Sequence, residues 1–99
     1  MSARLTAVAA KALLRRLLEE GTTTWTKHAL KEAGKDGLTT VDVVNVLRGG
    51  IVDEPEFENG AWRYHVRTAK IQVVVQFDGD DDAAPDEITV VTTWKEKQR

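Results

Sequence analysis

"AWRYHVRTAKIQVVVQF", residues 61–77, alternates twice. Trp62, Tyr64 and Val66 fall on one parity, and Arg63, His65 and Arg67 on the other. After a short break Ile71, Val73, Val75 and Phe77 repeat the period, with Gln72 and Gln76 between them. A period of two marks strands with one face on a core and the other in water. The stretch therefore predicts two antiparallel strands, Trp62–Arg67 and Ile71–Phe77, whose aromatic and β-branched parity faces inward.

Working outward, Ile51 to Phe57 reads as a poor strand interrupted by Pro55, and Asn59-Gly60 after it is a hairpin signal. Ile88 to Trp94 is rich in β-branched residues and reads as a last, central strand. Upstream of Gly50 the period changes to helical. Leu5, Val8, Ala9, Ala12, Leu13 and Leu17 recur at helical spacing from Arg4 to Glu20, and Gly21 stops the run. Arg4, Lys11 and Arg15 then share an exposed face. Thr24 or Thr26 can cap a short helix from about Lys27 to Ala33. Thr39 and Asp42 have capping-box spacing ahead of a third helix that Gly49-Gly50 end. The expected fold is α+β: one domain over residues 1–99, with three N-terminal helices packed on one face of a C-terminal antiparallel sheet of three to four strands.

The composition, 41% apolar and 30% charged over 99 residues, is that of a globular chain with one core. No cysteine is present, which excludes disulfides and thiolate metal sites. Lys11, Arg15 and Arg16 interrupt the N-terminal apolar run, so neither a signal peptide nor a membrane span is expected and a cytoplasmic location is the default. The net charge of −2 hides an asymmetry, because six of the sixteen acids sit between Asp78 and Glu87. Without that segment the chain would be +4. Those six acids would repel a polyanion, so a hairpin projecting away from any basic face is expected.

If the inner parity is as assigned, the outer face carries Arg63, His65, Arg67, Lys70, Gln72 and Gln76. Regular alternation on the last strand adds Thr93 and Lys95 and turns Trp94 inward. No carboxylate is expected among them, and hence no metal ligands. Polar outer faces are common in antiparallel sheets and often serve solubility alone. A strip of cations, imidazole and amides also suits a polyanion lying across it. His28, at the start of the second helix, is a further imidazole. Its bland reading is a half-buried histidine bonded to a loop carbonyl.

The segment "LLRRLLEEGTTTWTKHALKEAGKDGLTTVDVVNVLRGG", followed by Trp62, the strands and "TWKEK", resembles the MqsR-type branch of the RelE-like ribonuclease toxins over roughly residues 11–97. "TKHAL" also resembles a wider set of small domains related to that fold, with a histidine at that helix start. The resemblance implies a metal-independent endoribonuclease toxin of a type II toxin–antitoxin pair, cutting mRNA by 2′-hydroxyl attack and needing no cofactor. It also implies a cognate antitoxin, of the DNA-binding MqsA type. No apolar dimer patch is evident, so the free chain is expected to be a monomer.

Lys95 matches a functional lysine of the family. Arg63 falls where MqsR has a functional glutamine, and Gln72 near its functional tyrosine. On this reading His65, with His28 as a second group, carries proton transfer. Arg63 and Lys95 meet the transition-state charge, and Arg67 and Gln72 contact RNA. The rival reading is a non-catalytic interaction domain on the same fold.

Overall fold

The computed structural model describes residues 3–81 and 84–96. In chain order its elements are α1 (Ala7–Glu20), β1 (Thr22–Trp25), α2 (Lys27–Lys35), α3 (Thr40–Gly49), β2 (Ile51–Val52), β3 (Glu56–Glu58), β4 (Ala61–Arg67), β5 (Ile71–Asp78) and β6 (Glu87–Lys95). The main sheet runs β1-β6-β5-β4-β2, and β3 pairs with β4.

This corrects the expected architecture. The sheet has six strands and is mixed, because β1, lying between α1 and α2, pairs parallel to β6. The RelE-like arrangement of three helices followed by a wholly antiparallel sheet of three to four strands does not hold. "TTTW" reads locally as a cap region before a helix. As a strand it depends on a partner more than sixty residues away, Thr22 pairing with Glu87 and Trp25 with Val90. Nothing local in four residues signals so distant a ladder. β6 is internal, as its composition suggested, but β5 holds the middle of the sheet.

Each helix starts at a threonine whose hydroxyl accepts an otherwise unpaired amide: Thr6 from Ala9, Thr26 from Ala29 and Thr39 from Asp42. Such a cap contributes about 1 kcal/mol. At Thr39 the box is reciprocal, since the Asp42 carboxylate accepts from the Thr39 amide at 2.8 Å. The Thr6 cap begins α1 at Ala7 rather than Arg4. Arg4 therefore does not belong to a basic helix face. It pairs with Glu54 at 3.0 Å and lies over the Trp62 ring, 5.7 Å from its centroid.

The inner face of the sheet presents Val52, Tyr64, Val66, Val73, Val75, Phe77, Ile88 and Val90 to Leu14 and Leu17 of α1 and Val43, Val46 and Leu47 of α3. Tyr64 is fully buried against Phe77, with ring centroids 5.1 Å apart, and its hydroxyl accepts the Leu5 amide at 2.9 Å. Burial raises the pKa of this phenol, and the Leu5 amide partly offsets the shift. Gly50 carries the chain from α3 into β2. A Cβ there would meet the Val46 carbonyl at 2.6 Å and the Arg67 carbonyl at 2.9 Å, so only glycine lets β2 lie this close to β4. The Asn59-Gly60 turn has φ of +50° and +82°, as a tight hairpin between β3 and β4 requires.

α2 lies along the rim. Where β1 ends, the Thr26 amide still bonds the Val90 carbonyl and the Thr26 hydroxyl takes the Val91 carbonyl at 2.8 Å. At the far end of α2 the Asp36 carboxylate accepts the Lys95 amide at 2.8 Å. Between these ties the β5–β6 ladder shifts register. Val74 pairs with Thr92 but Val75 with Val90, which leaves Val91 as an extra residue.

Candidate functional site

That one extra residue decides which side chains share a face. Before the bulge Ile88 and Val90 point into the core. After it Thr93, opposite Val73, is fully buried, and its hydroxyl donates to the Gln72 carbonyl at 2.7 Å. Lys95 pairs with Ile71 on that same helix-facing parity, and its charge acts on Asp42 at the start of α3. Thr92 and Trp94 take the outer face, opposite Val74 and Gln72. The expectation that Thr93 and Lys95 are outside and Trp94 inside is thus reversed.

On β4 the alternation holds. Arg63, His65 and Arg67 lie on the outer parity, and Arg67 pairs with Gln72 across the ladder. The four residues are half-buried rather than free in water. Val74, between His65 of β4 and Thr92 of β6 on this outer face, is only 4% exposed. The structure thus gathers Arg63, His65, Arg67 and Gln72 and leaves out Lys95 and His28. His28 is exposed on α2, beyond the β6 edge. β6 and β5 separate that edge from β4, and two inter-strand spacings amount to about 10 Å.

The outer face is not free of carboxylates. β3 lays Glu56 opposite Arg63 and Glu58 opposite Ala61, on the same side as His65. Arg63 pairs with Glu58 at 3.6 Å, and Arg67 Nε donates to both Asp53 oxygens at 3.0 and 3.3 Å. An imidazole nitrogen of His65 and carboxylate oxygens of Glu56 and Glu58 all lie within 4.8 Å of one another. The expectation of a face without carboxylates is corrected accordingly. Glu56 and Glu58 escape a sequence reading because the strand around Pro55 looks too broken to have a face. The available signal was their spacing of two, directly before the Asn59-Gly60 turn.

The Arg63 side chain is 19% exposed, and its Nε is buried with no hydrogen-bond partner among the described residues. A buried donor left unpaired costs about 1–3 kcal/mol.

The acidic segment also departs from expectation where it is described. Asp78 and Glu87 are strand residues facing each other on the outer face. Asp78 accepts from Gln76 and, at 2.6 Å, from Thr89, while Glu87 accepts from Thr24. Asp82 and Ala83, at the tip of the expected hairpin, lie outside the described residues. The outer face is therefore polarised, with hydrogen-bonded acids on Asp78 and Glu87 and ion-paired arginines around His65.

No helix among the described residues is long and apolar enough to cross a membrane. Compared with known proteins, the chain matches no family model, no curated protein and no solved structure.

Proposed function

We propose that the outer face of the β3–β4 hairpin is the cutting site of an endoribonuclease. The observation that supports this is the meeting of His65, Glu56, Glu58 and Arg63 on one face, within the span of a single phosphodiester. Cleavage by the internal 2′-hydroxyl needs a base for that proton, an acid for the departing 5′-oxygen, and a cation for the phosphorane between them. In this reading Glu56 takes the 2′-hydroxyl proton and O2′ bonds to phosphorus. The P–O5′ bond then breaks, with a proton from His65 going to O5′. The products are a 2′,3′-cyclic phosphate and a 5′-hydroxyl. Arg63, loosely paired with Glu58, bonds the non-bridging oxygens. Arg67 and Gln72, neighbours on the same face, contact the flanking RNA.

His28 and Lys95 take no part in this cluster. The toxin role, with mRNA as substrate and an MqsA-type antitoxin as partner of a monomeric chain, is proposed on the resemblance in residues 11–97. The pairing of both arginines with carboxylates favours the second reading, an interaction domain that cuts nothing, because a compensated strip attracts a polyanion weakly.

The test is single-turnover cleavage of a defined RNA in EDTA. Cyclic-phosphate ends, and no cutting at a 2′-deoxy nucleotide, are expected. An intact substrate at every pH and salt concentration would favour the interaction domain.

A further inference from the structure

Glu56 and Glu58 occupy alternate positions of β3, and His65 stands on the neighbouring strand. Two carboxylates and an imidazole thus converge from two chain segments. We propose that these three side chains form a divalent transition-metal site of the zinc class, and that filling it closes the RNA-cutting face. The second half of the proposal rests on the function given above.

The donor set selects the metal. One imidazole nitrogen and two carboxylate oxygens suit Zn²⁺, whereas the harder Mg²⁺ and Ca²⁺ prefer oxygen ligands to an imidazole. Zinc bonds of about 2.0–2.2 Å require the donors to draw in to roughly 3.4 Å apart. Both glutamates are exposed and can make that adjustment by rotating. Their backbones need not move, since the hairpin register pairs Glu56 with Arg63 and Glu58 with Ala61 across a tight turn. Three protein ligands leave a fourth position for water.

Arg63 is the competitor. Its guanidinium is 3.6 Å from Glu58, longer than the 2.7–2.9 Å typical of a strong charge-assisted bond, so Glu58 is held loosely. A bound metal takes Glu58 from Arg63. It also occupies the His65 lone pair and the Glu56 oxygen that would otherwise move protons. Metal binding and metal-free cutting therefore exclude one another.

The experiment titrates Zn²⁺ into the full chain, by calorimetry and by ¹⁵N spectra of the histidine rings, alongside RNA cleavage. One zinc per chain is expected, with the His65 ring signals moving and those of His28 still. Affinity should fall on the order of tenfold or more in Glu56→Gln and in Glu58→Gln. Cutting by the parent should stop at stoichiometric zinc and return with EDTA. Absence of binding, binding unaffected by both glutamine variants, or movement of His28 alone overturns the site whether or not the chain cuts RNA. Zinc held at His65 with cutting unchanged overturns the closure. If the metal-free chain cuts nothing, the ribonuclease reading fails and takes the closure with it, while calorimetry still decides the site.

Discussion

β4 and β6 both run antiparallel to β5, one on each side of it, and both alternate in sequence, yet only β4 keeps its parity from end to end. On β4, Tyr64 and Val66 are buried, and Arg63, His65 and Arg67 face out with no register shift, Arg63 on the β3 ladder and His65 and Arg67 on the β5 ladder. On β6, Val91 is an extra residue and the faces exchange across it. The exchange coincides with a change of neighbour at the rim. β1 stops at Trp25, and the Thr26 hydroxyl takes the Val91 carbonyl in place of a strand partner. The two strands teach that period two assigns faces only between bulges. Here the bulge sits where the neighbour of β6 changes from β1 to the start of α2.

The largest expected effect tests this contrast directly. His65→Ala should slow single-turnover RNA cleavage by about 10²–10⁴-fold, the usual contribution of a positioned proton-transfer group. Lys95→Ala should leave the rate near that of the parent, because its side chain is on the helix-facing parity. Circular dichroism would confirm that both variants fold. Equal losses in the two would mean that the faces do not exchange at Val91, and the contrast would collapse.

The same contrast marks how much was readable in advance. The three helices were legible because their signals are local: threonine caps, glycine stops and a 3.6-residue period. The hairpin at Asn59-Gly60 and the outward Arg63, His65, Arg67 and Gln72 were legible for the same reason. β1 was not, since four residues acquire strand identity only by pairing with Glu87 to Val90. Regular alternation puts Lys95 and Thr93 on the wrong face because it carries no sign of the bulge at Val91, whose carbonyl meets a hydroxyl some sixty residues away. Glu56 and Glu58 escape a local reading because Pro55 hides the strand that presents them. Errors of this kind concern faces and partners, and a site consists of faces and partners.

A smaller effect sharpens the bulge itself. Thr93→Val preserves shape and removes the hydroxyl that donates to the Gln72 carbonyl from a fully buried position. The loss should be about 0.5–1.5 kcal/mol, measured as a lower urea midpoint at unchanged slope. Were Thr93 on the solvent face, as regular alternation requires, the change would stay within about 0.5 kcal/mol.

The smallest effect is electrostatic and locates Lys95 without any assay of function. The Asp42 carboxyl lies below its ordinary value, first through the Thr39 amide, then through the Thr39 side chain, with a further push from the charge of Lys95. A depressed carboxylate contributes stability above its unfolded value of 3.8 and loses it as pH falls through the lower folded value. Asp42→Asn should therefore lower the melting temperature at neutral pH, with the gap to the parent closing in acid. Lys95→Ala should move the Asp42 titration upward slightly while leaving the Thr39 capping box intact, as read from its carboxyl ¹³C shift. That displacement requires Lys95 to stand on the helix side, near the start of α3. An Asp42 titration indifferent to Lys95 would mean that the ammonium does not act on the start of α3.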